Sequence, residues 1–143
     1  MKIILLEREG IALVNKISFE KFIGKKVIEI NDMYPILIFD GEDYLTIECS
    51  WRLKSKDVIA VGSGEYKLQE THQKANDILS KLLLGQQITS IRIGSYVSDL
   101  FIEFSNGSVI ELFCNSSIYE GWTLSYGKDF NLVSLPGGKL FIF

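Results

Sequence analysis

One histidine and two cysteines are the whole stock of soft metal ligands in this sequence. His72 stands alone, Cys49 and Cys114 lie far apart, and neither a C-x-x-C nor an H-x-x-x-H spacing occurs, so no metal site is expected. Basic residues are also scarce: 15 Lys and Arg face 18 Asp and Glu, a formal net charge of -3. Phosphate binding needs a basic face and its counterion release, so no nucleic-acid partner is expected, whereas a basic protein partner suits this balance. Long apolar runs are missing too. Ile3 to Leu6 is interrupted by Glu7 and Arg8, too short for a signal-peptide core, and no segment is long enough to span a bilayer. A cytoplasmic protein without a membrane partner is expected, with its cysteines as small buried hydrophobes rather than a disulfide.

What the chain does have is core-forming material. Of its 143 residues 47% are hydrophobic and 12% aromatic, enough for one globular domain over residues 1–143. Short β-branched and aromatic runs predict strands: "KIILLE" and "IALVNKI" around "REG", then "KKVIEI", "PILIFD", "YLTIEC", "ITSIRI", "DLFIEF", "SVIELF", and a final hairpin of "FNLVSL" and "KLFIF" around "PGG". "DGED" and "SNG" supply turns in which glycine takes positive φ without cost. Ala75, Ile78, Leu79, Leu82 and Leu83 recur at helical spacing, which predicts one main helix over about 71–84, capped by Thr71 and ended by Gly85. A shorter turn, "SFEKFIG", has Ser18 as its cap, Phe19, Phe22 and Ile23 as its apolar face and Gly24 as its stop.

Setting Ile23-Gly24 on Leu84-Gly85 aligns "KKVIEI" with "QQITSI", Phe39 with Phe104, Leu45 with Ile110, Ile47 with Leu112 and Cys49 with Cys114. This register predicts an internal repeat of about 18–53 and 72–124. Strand alternation puts Leu45, Ile47 and Cys49, or Ile110, Leu112 and Cys114, on one sheet face, and a more mixed set including Glu111 on the other. The expected class is α+β: duplicated helix-β-β-β units forming curved antiparallel sheets with one main helix.

"SWRL" closing the first half, "YEGWTL" closing the second and "NLVSLPGGKLFIF" at the end resemble a family of small, uncharacterised bacterial proteins, a domain-of-unknown-function family, from Phe22 to the C-terminus. The sharpest elements are Tyr119, Glu120 and Trp122, then Pro136, Gly137 and Gly138. The resemblance implies a bacterial cytoplasmic setting and this fold unit, but no activity and no cofactor. In size and fold such proteins are similar to immunity proteins of bacterial toxin systems.

Catalytic patterns are thin. His72, at an exposed helix start, has nothing that brings it to Cys49 or Cys114. "AVGSGEYK" lacks the spacing of a phosphate cradle and reads as a flexible loop. Asp40, Glu42 and Asp43 sit where a solvated hairpin turn belongs. Glu48, Glu103, Glu111 and Glu120 are the carboxylates that would have to pair in a cleft for acid–base work. No catalytic residue is assigned. The candidate binding set is Trp51, Arg52, Tyr119, Glu120 and Trp122, just after strands, where an Arg beside a Trp can anchor a carboxylate or a planar ligand. The leading expectation is a non-enzymatic protein-interaction module, an immunity-type inhibitor covering a basic partner. The alternative is a small-ligand binding or sensing protein with a groove between the repeats. "KLFIF" as an exposed edge strand would also allow a homodimer.

Overall fold

The computed structural model describes residues 2–4, 19–31 and 34–142. The expected "REG" hairpin with "IALVNKI", and the Ser18 cap, lie outside the described residues. The first meander runs β2 (Val27–Asn31), β3 (Ile36–Phe39) and β4 (Tyr44–Ile47), and is followed by the hairpin β5 (Ser50–Ser55) and β6 (Val58–Gly62). Two helices come next, α1 (Ser63–Lys67) and α2 (Gln69–Leu83). The second meander is β7 (Ile88–Ile93), β8 (Leu100–Phe104) and β9 (Val109–Phe113), and the chain closes with β10 (Trp122–Tyr126), β11 (Phe130–Ser134) and β12 (Leu140–Ile142). With β1 (Lys2–Ile4) these make two antiparallel sheets, ordered β1-β12-β11-β10-β4-β3-β2 and β6-β5-β9-β8-β7. The class is therefore α+β with two sheets.

The sheets are built by exchange. After β4 the chain crosses at Glu48-Cys49 into the other sheet, where β5 pairs with β9; after β9 it crosses back, and β10 pairs with β4. Trp51 thereby stands opposite Leu112, and Trp122 opposite Ile47. The meanders also share details: register shifts at Val27/Glu29 and at Ile88/Ser90, and first-strand residues Val27 and Ile88 opposite Phe39 and Phe104. Their starts bond to each other, Gly24 N–H to the Ile88 carbonyl at 2.8 Å and Gly85 N–H to the Val27 carbonyl at 2.8 Å.

Alternation fills the core between the sheets. Leu45, Ile47, Leu53, Ile110, Leu112 and Leu124 are fully buried, while Arg52, Lys54 and Thr123 face outward. Helix α2 buries Ala75, Leu79 and Leu83, the face its spacing predicts. It starts two residues before the expected cap, because the chain leaves α1 at Leu68, whose carbonyl accepts the N–H groups of Thr71 and His72. Thr71 instead donates its hydroxyl to the Glu65 carbonyl at 2.6 Å. In the short turn, Phe19–Phe22 is a 3-10 segment that buries Phe22 but leaves Ile23 exposed.

Three further expectations are corrected. "VGSGEYK" is not a loop: β6 runs directly into α1, and Glu65 Oε2 accepts the Gly62 N–H at 2.9 Å. "KLFIF" is not an edge, since β12 is flanked by β11 and β1; among the described residues the edges are β1, β2, β6 and β7. The "DGED" turn is not wholly solvated, because Asp43 is buried against Lys25 Nζ at 2.5 Å.

Candidate functional site

The crossover from β4 to β5 opens a cleft. It is lined by Tyr34 and Pro35, leading into β3, by Ile47, Glu48, Cys49 and Trp51 around the crossover, by Tyr66 and Lys67 of α1 and by His72 of α2. Its volume is about 520 Å³, within the usual range for small-molecule sites.

The local sequence shapes this wall. The break at Leu68 between α1 and α2 folds the first turn of α2 back beside Tyr66, so the His72 ring meets the Tyr66 ring edge-on with centroids 4.5 Å apart. Tyr66 in turn meets Trp51 edge-on at 5.5 Å, and its hydroxyl lies 3.3 Å from Asn76 Oδ1. These are the favoured geometries for rings with a negative face and a positive edge. His72 Nδ1 is 2.7 Å from the Tyr66 carbonyl oxygen. A carbonyl only accepts, so Nδ1 carries the proton, and in the neutral ring Nε2 is left as an acceptor. Glu48 and Lys67, both exposed, put one charge of each sign on the cleft.

His72 and Cys49 thus line one cleft, although the sequence pattern shows nothing that joins them. They are not a nucleophile–base pair as they stand. Burial pushes the Cys49 thiol up to about 12, and the neighbouring Cys114 adds to the effect, so the sulfur is a neutral thiol at pH 7. Nor do the carboxylates make an acid–base pair. Glu103 and Glu111 share a small hollow of about 180 Å³ on the outer face of the five-stranded sheet. Burial alone would raise the Glu111 pKa, but hydrogen bonds and charge from Arg52 and Lys54 outweigh it, and the net shift is downward. That is opposite to what a general acid needs. Among the described residues no three His, Cys, Asp or Glu side chains cluster so as to hold a metal ion.

The five candidate binding residues are distributed rather than convergent. Trp51 borders the cleft but is only 4% exposed. Arg52, next along β5, points to the opposite sheet face, where Nε donates to Glu111 Oε1 at 2.6 Å and the guanidinium lies over Phe113 at 5.1 Å. Trp122 is 1% exposed and donates its indole N–H to the Ser98 carbonyl at 2.7 Å, which leaves it no surface for a ligand. Tyr119 and Glu120 are exposed on the connection between β9 and β10, and Glu120 borders a separate hollow with Tyr44 and Thr123. Trp51, Arg52 and Trp122 lie within strands, not after them. Sequence reasoning missed that Tyr34, Cys49, Tyr66, Lys67 and His72 line one cleft. The available signal was a short amphipathic helix, Tyr66 buried within "SGEYK", directly before the main one.

No helix among the described residues is long and apolar enough to cross a membrane. No curated protein and no solved structure matches the chain. A family model does match, over residues 21–143, which takes in both meanders, both helices and the cleft. The chain belongs to that family, described as a "Family of unknown function (DUF6188)".

Proposed function

We propose that the protein is a small-ligand binding or sensing module, not an enzyme, and that its site is the aromatic cleft at the β4–β5 crossover. The observation that carries this is the 2.7 Å contact between His72 Nδ1 and the Tyr66 carbonyl oxygen, made by a residue that lines the cleft. The Tyr66 carbonyl holds the Nδ1 proton, leaving an acceptor nitrogen on a wall of aromatic rings, the combination that orients a planar ligand bearing an N–H or O–H donor. Glu48 and Lys67 add complementary charge at the opening. The test is to purify wild type and His72→Phe from the same cells and identify retained small molecules by mass spectrometry. A compound held by wild type and lost from the variant supports the reading; equal retention, or none in either, counts against it.

Support for an internal duplication comes from the shared bulge positions, the matched Phe39 and Phe104 pairings and the reciprocal exchange of β5 and β10. In that reading the long helix is the helix of the second copy, and the cleft lies where the first copy, through Tyr34 to Trp51, meets His72 of that helix.

A second reading, protein interaction, is favoured by a different observation. Tyr96, Val97, Ile118 and Tyr119 are exposed on two connections that are tied together: Asp99 Oδ1 accepts the Cys114 N–H at 2.7 Å, and Ser98 and Ser116 both bond to the Pro136–Gly138 turn. An immunity-type inhibitor in a bacterial cytoplasm could use such a patch on a basic partner. Co-expression with a toxin encoded beside it, with and without Tyr119→Lys, distinguishes this reading: rescue that the substitution removes supports it, and absence of rescue opposes it.

A further inference from the structure

The two cysteines face each other at the points where the chain changes sheets. In the β5–β9 ladder Ser50 pairs with Phe113, Trp51 with Leu112 and Leu53 with Ile110, so one further step along the same register sets Cys49 opposite Cys114. Trp51, Leu53, Leu112 and Ile110 are buried on the core face, and by alternation both cysteines share it. Both belong to the same core packing, Cys49 buried and Cys114 half-buried against it. The type of pair can also be read. Trp51 spends its N–H on Ser63 Oγ at 3.2 Å and Cys114 spends its own on Asp99 Oδ1 at 2.7 Å, so neither points across the ladder. Trp51–Leu112, and two residues on Cys49–Cys114, are therefore non-hydrogen-bonded pairs, whose Cα atoms lie about 4.5 Å apart, at the short end of the range a disulfide spans.

We propose that Cys49 and Cys114 are a reversible thiol modification site, closing to an intramolecular disulfide when the protein meets a small oxidised disulfide such as oxidised glutathione. Cys114, the more exposed, attacks one sulfur of the small disulfide: a Cys114–S bond forms, the S–S bond breaks, and one small thiolate leaves. Cys49, a neutral thiol at rest, then attacks Cys114 Sγ as its proton passes to the departing sulfur, forming the Cys49–Cys114 bond and expelling the second small thiol; the two cysteine protons end on the two released thiols. The protein loses two electrons and the small disulfide gains them.

The surroundings tolerate the closed form. Cys114 Sγ donates to the Ser98 carbonyl at 2.9 Å and contacts Ser134 Oγ at 2.7 Å. Loss of the thiol proton strands neither partner, because the Ser98 carbonyl keeps the Trp122 indole N–H and the Ser134 hydroxyl keeps that of Ser98 at 2.7 Å. The bond would clasp the two crossovers and restrict the unfolded chain between them, making the oxidised protein harder to unfold. Since Cys49 also lines the cleft, thiol state and cleft shape are linked, but the disulfide itself does not depend on the cleft having a ligand.

The test is to incubate the folded full-length protein with oxidised glutathione, block free thiols with an alkylating agent, and digest without reduction. The expected result is a cross-linked peptide pair containing Cys49 and Cys114, a mass loss of about 2 Da in the intact monomer, a raised melting temperature, and full reversal by a dithiol reductant. Cys49→Ser should stop at a glutathione adduct on Cys114, and Cys114→Ser should react far more slowly than wild type. A wild-type glutathione adduct that never closes, a disulfide between molecules, or no reaction in the folded protein under conditions that oxidise its urea-unfolded form would each overturn the proposal.

Discussion

His72 Nδ1 lies 2.7 Å from the backbone oxygen of Tyr66, while the two side-chain rings meet edge-on at 4.5 Å, so one residue orients the other through both backbone and ring. His72→Phe keeps the ring contact and removes the hydrogen bond. The expected cost is about 1 kcal/mol of unfolding free energy, the usual net worth of one such bond, measured by urea titration. The same variant should lose the ligand that wild type retains, because Nε2 goes with the ring nitrogens. A stability loss without loss of ligand would confine His72 to a packing role.

Trp51 and Trp122 occupy corresponding steps of the exchanged strands and both are buried, but only Trp51 borders the cleft. Trp122 fills the core completely and donates to Ser98, so Trp122→Ala should cost about 3–5 kcal/mol. Trp51, 4% exposed, borders the cleft; Trp51→Phe retains the edge contact with Tyr66 and should cost about 1 kcal/mol while weakening retention of a cleft ligand. Chemical denaturation with ligand extraction on the same samples compares the two.

The strands of the two meanders were legible because their apolar residues alternate between turn residues, and α2 because Ala75, Leu79 and Leu83 repeat at helical spacing. β5 and β10 carry the same signal, with Trp51 and Leu53 or Trp122 and Leu124 alternating with polar residues. These stretches read as segments just after strands: only Glu48 and Cys49 separate β5 from β4, and a longer connection through Tyr119 and Glu120 leads from β9 to β10. Which strand pairs with which is a matter of long-range contacts, and period-2 patterning carries no partner information. The same limit hid the cleft: its walls come from "YPIL", "TIECSW" and "EYKLQETH", and only the exchange of β5 into the second sheet and the helix break at Leu68 bring them together.

Glu111 makes the acid limb of stability testable. Its carboxylate is buried between Arg52 at 2.6 Å and Lys54 at 3.3 Å, and its pKa lies below the ordinary value of 4.5. The stabilisation is fully present above about pH 4.5 and is lost as pH falls through the lower folded-state value, because the unfolded chain takes up the proton first. Wild type should therefore lose stability on acidification below that point. Glu111→Gln, which cannot titrate, should start less stable at pH 7 and fall less steeply, as read from melting temperatures over an acid series.

Lys25 governs the alkaline side. Its ammonium bonds to buried Asp43, donates to the Asp40 carbonyl at 3.0 Å, and sits against Gly41, where a Cβ would lie 2.6 Å from Nζ. The hydrogen bond to Asp43 is the chief cause that raises the Lys25 pKa above 10.5, with burial acting against it. The pair's contribution is therefore complete below about pH 10.5 and disappears as pH rises through the folded-state value. Asp43 is 2% exposed, so Lys25→Met strands a carboxylate out of water. The cost should be about 2 kcal/mol, between that of surface and fully buried pairs. Adding Asp43→Asn removes the stranded charge and should recover more than half of that loss. The double-mutant cycle by urea unfolding, run at pH 7 and again above pH 10.5, should show the coupling at the first pH and its decline at the second. Equal coupling at both would mean that packing around Gly41, rather than charge, holds the turn to the first meander.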